Sequence, residues 1–291
     1  MKSTGILALL LIGLLHLTVQ ESSAQEPAPE AAGTADVQKV ELFDGTVLFG
    51  TIISESDTDL VLMSIGGVRF ELLRSDIRSV SRARGSVVGR EFWGEDPSGT
   101  RLFFTSTGRA LPRGEGYAGV YLLTLPFAAV GVTDRFTMGG GAPILFGELT
   151  PFYLAPKLQV LRQPSLDVSV GSLMFFFGED TQVGIAYGVA TGGSRDVSVT
   201  GGLGFGFVGA DFSRRPVGML GLERRLTRRF KFVSENYALP VDDGALLLSG
   251  GIRILGEDFS GDIGLGAVAS SDVGFCCLPL INLSYSFGRD P

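Results

Sequence analysis

The sequence predicts an all-β protein: a small closed barrel, then an antiparallel up-and-down transmembrane β-barrel of about twelve strands, within a range of roughly 10–14. Three observations predict it. Glycine supplies 42 of 291 residues, about twice the ordinary share, without a collagen-like period. Phenylalanine is abundant at 21 and charged residues are scarce at 19%, so the glycines do not signal a disordered chain. Long stretches alternate bulky apolar residues with small or polar ones at a period of two, the repeat of a strand.

The elements follow in chain order. Residues 1–24 read as a secretory signal peptide: Lys2, the apolar run "ILALLLIGLLHLTV", then Ser22 and Ala24 as the small residues before a cleavage site. Its removal takes away His16, the only histidine. The mature chain then has no Ser–His or Cys–His nucleophile and no histidine-ligated metal. Residues 25–36, "QEPAPEAAGTAD", form a disordered Pro/Ala/Glu linker with nothing to bury.

Residues 37–80 contain the tight-turn pairs Asp44-Gly45 and Gly66-Gly67 and the polar turn Ser56-Asp57-Thr58-Asp59. Between them lie β-branched runs such as "TVLFGTII" and "DLVLMSI". A sheet this small must curl to bury one face, hence a small closed barrel. Residues 81–100 read as a connector, with Phe92 and Trp93 either packed in the ordinary way or plugging the junction to the next domain.

Residues 101–288 carry the large barrel. The expected strands are 101–107, 117–131, 135–146, 152–162, 166–177, 181–191, 196–209, 215–226, 229–238, 244–254, 260–270 and 276–287. With both ends in the periplasm, the turns "TDR", "RQPS", "GGSR", "TRR" and "GEDFS" face it. Longer segments such as "GRALPRGEG" and "NYALPVDDG" lie outside, the usual asymmetry. Phe136, Phe152, Tyr153, Phe230 and Phe259 sit near strand ends as an aromatic girdle. Pro126, Pro143, Pro156 and Pro279 fall within strands and imply bulges or strand ends.

The stretch "GLGFGFVGA" contains G-x-G-x-x-G at Gly204, Gly206 and Gly209. A dinucleotide loop needs those glycines to open a helix. Here Leu203, Phe205 and Phe207 alternate with Gly202, Gly204 and Gly206, so the stretch is strand and the match accidental. The same alternation appears with Val183, Ile185, Tyr187 and Val189 against Gly184, Ala186 and Gly188. In each strand the bulky set is expected to face outward and the small set to face a narrow polar lumen.

That rule places Lys157, Asp167, Glu223, Arg225, Lys231, Arg253 and Asp262 in the lumen. They either line a selective pore or ligand site, or pair with one another because a barrel this narrow fills with side chains. Mutual pairing is the preferred reading. Cys276 and Cys277 are adjacent, which makes a bridge between them awkward; they read as small apolar fillers, with a strained vicinal disulfide as the alternative. No carboxylate pair has distinctive spacing, and neither "GGSR" nor "GSLM" forms a nucleophile elbow. No enzyme, cofactor or metal is expected.

The spacing "ELFDGTVLFGTI … DLVLMSIGGVRFELLRSDIRSV" resembles small Sm-like and SH3-like barrels over about 44 residues. Sm-like relatives often bind RNA. Against that, Lys39, Arg69, Arg74 and Arg78 face seven acids here, and the whole chain carries a net charge of −7. A periplasmic protein or cell-wall component is the expected partner of residues 37–80, a folded spacer being equally compatible; nucleic acid is not expected. The segment "RLFFTSTGRALPRGEGYAGVYLLTLPFAAVGVTDRFTMGGG" and the glycine-rich strands after it resemble an uncharacterised group of bacterial outer-membrane β-barrel proteins. The final strand "INLSYSF" is similar to a barrel-assembly signal, although "GRDP" follows it. The resemblance implies the outer membrane of a Gram-negative-type bacterium, contact with the lipid bilayer, and a non-enzymatic role as a narrow pore or as an anchor presenting a periplasmic module. The alternative is a soluble periplasmic or secreted β-protein that binds a lipid or other apolar ligand, with its apolar face turned inward.

Overall fold

Two glycine turns organise the first part of the chain. Gly45 and Gly67 both adopt positive φ, +87° and +82°, where a side chain would be strained. At the first turn the Thr46 backbone N–H donates to Asp44 Oδ1 at 2.8 Å and holds that carboxyl below its usual range. The computed structural model describes residues 37–142, 151–177, 181–241, 244–270 and 274–289. The expected signal peptide and linker over residues 1–36, and Pro143, lie outside the described residues.

Strands β1 (Gln38–Leu42), β2 (Val47–Glu55), β3 (Asp59–Ser64), β4 (Arg69–Leu73) and β5 (Ile77–Arg82) form one antiparallel sheet in the order β4-β3-β2-β1-β5. A single 3-10 turn, Arg74–Asp76, carries the chain from β4 to β5. The concave face buries Val40, Leu60 and Leu62 completely, with Leu48, Ile52, Phe70 and Ile77 packed around them. A hairpin follows, β6 (Gly85–Val88) and β7 (Glu91–Gly94). Its Phe92 stacks on Phe49 of β2 with centroids 4.5 Å apart.

The large sheet comprises β8 (Gly116–Tyr121), β9 (Leu125–Gly131), β10 (Phe136–Gly141), β11 (Phe152–Gln163), β12 (Leu166–Phe177), β13 (Thr181–Gly193), β14 (Val197–Val208), the two-residue β15 (Asp211–Phe212), β16 (Val217–Arg225), β17 (Phe230–Leu239), β18 (Ala245–Leu255), β19 (Phe259–Ser270) and β20 (Gly274–Phe287). Each wall strand pairs antiparallel with its chain neighbour, and β15 only folds back on the end of β14. β20 returns to pair with β8, from Asn282↔Tyr121 to Phe287↔Gly116. The result is a closed antiparallel barrel of twelve strands. Closure leaves no free sheet edge.

The expected number is reached through two compensating departures. Residues 101–107 are not a wall strand; they lie inside the barrel. The single strand expected over 117–131 is two strands, turning at Leu122 and Leu123, whose φ angles are +50° and +59°. A β-turn with both central residues at positive φ normally advertises itself with Asn or Gly. Two leucines hide it. The "GRALPRGEG" stretch is likewise no outer loop. It emerges at the end of the barrel that holds the termini, where Arg113 N–H donates to Asp134 Oδ1 at 3.1 Å and Gly114 N–H to the Gly131 carbonyl at 2.8 Å.

Register decides which way each strand faces. On β14, Leu203 and Phe205 are exposed on the outside, whereas Ser198, Thr200 and Gly204 are buried inside. Strand β13 departs from expectation: Thr191 pairs with Thr200 and Val189 with Gly202, so Val183, Ile185, Tyr187 and Val189 point inward. The reason is volume complementarity. A Cβ on Gly202 would meet Val189 Cγ1 at 2.8 Å, and one on Gly204 would meet Ile185 Cδ1 at 2.6 Å. Outside, the exchange reverses, and a Cβ on Gly184 would meet the Phe207 ring at 2.6 Å. Neighbouring strands thus lend each other room. Tyr153 also turns inward, opposite Phe175 and against the Tyr117–Phe127 cluster, instead of joining the girdle. At Pro156 the β11–β12 ladder skips from Leu154 to Lys157, as a missing donor requires.

Candidate functional site

Residues 95–111 fill the half of the barrel nearest the termini. Their sequence, "EDPSGTRLFFTSTGRAL", is broken by Pro97, Gly99 and Gly108 and lacks alternation, so it turns on itself rather than joining the wall. Asp96 Oδ1 accepts from Ser98 N–H at 2.8 Å, and Arg101 N–H reaches the Ser98 carbonyl at 3.1 Å. Leu102 and Thr105 close a tip, and Thr107 returns to Thr100 at 2.9 Å. This internal hairpin enters and leaves at the same end.

The wall is shaped to receive it. A Cβ at Gly221 would collide with Leu102, and one at Gly264 would sit 3.2 Å from the Phe103 ring. Leu102 and Phe103 are fully buried beside Val233 and Leu280, with Leu122 and Met219 around them.

Six of the seven charges singled out from the sequence meet this hairpin or one another; Arg225 is the exception. Asp262 receives Arg253 Nε at 2.6 Å and Arg101 Nη1 at 2.8 Å. Arg253 also donates to Asp96 at 3.3 Å and to the Leu102 carbonyl at 2.6 Å. Lys231 bridges Asp96 at 2.7 Å and Glu223 at 3.1 Å. Lys157 has no carboxylate partner among the described residues and donates instead to the carbonyls of Arg109, Thr100 and Thr107 at 2.6, 3.3 and 3.3 Å. Asp167 accepts from Gln159 at 2.8 Å and lies 3.6 Å from Arg109. Arg225, at the mouth, donates to the carbonyls of Gly94 and Arg228 at 3.0 and 2.6 Å, and its guanidinium lies 5.6 Å from the Trp93 ring. Trp93 therefore packs at the junction between hairpin and barrel.

Several members of this network carried no signal in the sequence. Asp96, Arg101 and Arg109 stand on the segment expected to be connector, strand and loop. Glu235 is not among the seven although it shares the inward parity of Lys231; its carboxylate accepts from the backbone N–H groups of Phe104 at 2.9 Å and Thr105 at 3.2 Å, capping the tip. Arg101 further lies 5.6 and 5.5 Å from the rings of Tyr121 and Phe127, themselves stacked at 3.8 Å. Only its Nε lacks a partner among buried side-chain atoms of the described residues.

Charges this deep cost several kcal/mol each to desolvate unless attraction and hydrogen bonds repay it. Here the carboxylates Asp96, Glu223 and Asp262 each accept from more than one donor. These contacts tie the hairpin to the wall. Among the described residues no cluster of His, Cys, Asp and Glu could hold a metal ion. Cys277 is disulfide-bonded, which corrects its reading as an apolar filler; Cys276 is the only other cysteine.

No known family profile matches the chain, and no curated protein does. Solved structures with a similar fold include a KdgM porin, at 7% identity and TM-score 0.44 over 60% of this chain and 98% of that one. A NanC porin matches at 11% identity and TM-score 0.40 over 59% and 97%. A loop-deletion form of OmpT, an outer membrane protein of Vibrio cholerae, matches at 12% identity and TM-score 0.36 over 86% and 96%. At such scores the likeness is coarse, and the chain's own geometry decides its reading.

Proposed function

We propose that this chain is a non-enzymatic outer-membrane barrel whose interior is sealed, and that it serves as an anchor holding the five-stranded module at the periplasmic face. One observation carries the reading: residues 95–111 occupy the interior and are tied to the wall by the Asp96–Lys231, Arg101–Asp262 and Arg253–Asp262 ion pairs. A pore for small solutes would need that space. The outward face supports a bilayer environment, with Leu203 60%, Ile263 58% and Leu265 56% exposed near strand centres. A soluble carrier of an apolar ligand needs this face turned inward, and water would penalise it as built. The aromatic residues Phe152, Phe230 and Phe259 fall at strand ends, where a girdle belongs.

Short turns at 132–135, 194–196 and 256–258 share an end with Gly116 of β8 and Phe287 of β20, which supports a periplasmic setting for that end and for the module. The strand order β4-β3-β2-β1-β5 with its 3-10 turn before β5 supports an SH3/Sm-like module there, docking a periplasmic protein or cell-wall component.

Planar-bilayer recording of the mature protein tests the sealed interior. The intact chain is expected to give no steady conductance, and deletion of residues 96–111 is expected to open one. Steady conductance by the intact chain would overturn the anchor reading in favour of a pore. Full extraction by salt and urea would overturn the membrane reading itself.

A further inference from the structure

A cleft of about 760 Å³ lies between the five-stranded module and the rim of the barrel. It falls within the volume range of ligand pockets, about 300–1,000 Å³. Its two walls differ in chemistry. Ile254, Phe259, Tyr285 and Phe287 line one side. Ladder register puts all four on the outer face of β18, β19 and β20, and they are 39–58% exposed. That wall is therefore continuous with the apolar belt.

The remaining lining is cationic, with seven Lys and Arg side chains against three acids. Such an excess is unexpected in a chain whose net charge is −7. Most of the cations are already engaged. Lys39 pairs with Glu257, Arg84 with Glu95 and Glu115, and Arg225 with backbone carbonyls. Crowding is evident at Arg289, where burial and then the like charge of Arg84 push the guanidinium down. Arg228 and Arg229, on the turn between β16 and β17, are exposed and have no ion-pair partner among the described residues. An unpaired guanidinium pair beside an apolar wall open to hydrocarbon matches one class of molecule.

We propose that this cleft binds an anionic phospholipid of the inner leaflet. Arg228 and Arg229 hold the headgroup phosphodiester, and its acyl chains run over Ile254, Phe259 and Tyr285. Guanidinium suits this task because its planar fork matches two phosphate oxygens at once. The proposal rests on the membrane reading above and adds to it a defined lipid, seated where the module meets the rim.

Native mass spectrometry of the full mature chain in nonionic detergent, titrated separately with short-chain phosphatidylglycerol and phosphatidylcholine, tests it. A one-to-one phosphatidylglycerol adduct is expected, weakened about fivefold by each of Arg228→Ala and Arg229→Ala. Phe259→Ser is expected to weaken it as well. Equal adducts with both lipids, or an unchanged adduct in the Arg228→Ala/Arg229→Ala double variant, would overturn the proposal. So would displacement of the lipid by inorganic phosphate at comparable concentration, which would make the ligand free phosphate. Heat-modifiable gel migration checks that every variant folds, and flotation with vesicles reads membrane insertion on its own. A chain that floats but shows no lipid preference loses only this proposal; a chain that does not float loses both.

Discussion

The five-stranded module and the barrel are built from the same alternation of large and small residues, yet their cross-sections are opposite. In the module, Val40, Leu60 and Leu62 fill a dry centre while Glu41 and Arg78 meet solvent in an exposed pair. In the barrel, Leu203 and Phe205 face out and Lys231, Glu223, Arg253 and Asp262 fill the centre. Period two specifies a strand and nothing about its surroundings. What decides the cross-section is perimeter. Five short strands bury three aliphatic side chains on one face, whereas twelve strands enclose a volume that the inward glycines and serines cannot fill. The internal hairpin supplies the missing volume, and its partners are polar because the wall that receives it is polar.

Substitutions can sharpen that contrast. The largest effect is expected from Arg253→Met, which leaves Asp262 and Asp96 short of a buried partner. Breaking such a network costs about 3–5 kcal/mol, to be read as a lower temperature for loss of the heat-resistant form. The double variant Arg253→Met/Asp262→Leu is expected to recover part of that loss; no recovery would show that charge pairing is not what holds the hairpin. Leu62→Ala is expected to cost about 2–5 kcal/mol, confined to the module and visible in urea unfolding, with barrel migration unchanged. If both regions weaken together, they are one cooperative unit and the contrast fails. Leu203→Arg, at the middle of β14, is expected to cost about 2–4 kcal/mol if lipid surrounds it; a neutral result in refolding titrations would place that face in water. The smallest effect is expected from Arg78→Ala, under about 1 kcal/mol because the Glu41 pair is exposed.

Most of the wall was legible from residue type. Strands β11 to β20 follow alternations visible in the chain, and the seven interior charges lie on the inward parity of their strands. Three things were not legible. The Leu122-Leu123 turn has no glycine or asparagine to announce it. The inward set of β13 is bulky because β14 offers Gly202 and Gly204 beside it, a property of the pair that neither strand shows alone. The interior hairpin is hidden because "RLFF" carries enough β propensity to pass for a strand, while its true partners, Asp262, Glu235 and Asn282, stand more than 130 residues away. Local pattern reports local geometry, and a filling segment is defined by what encloses it.

The hairpin ends at Leu111 and β8 begins at Gly116, so the filling is made just ahead of the first wall strand, whereas β20 seals the wall only after every other strand has been laid down. Lys231 and Arg253 meet Asp96, and Asp262 meets Arg101, only with residues 96–109 seated inside that wall. An empty cylinder would leave those three groups short of a buried partner, at a cost of about 3–5 kcal/mol. Filling and wall complete each other's charges, and neither is whole alone.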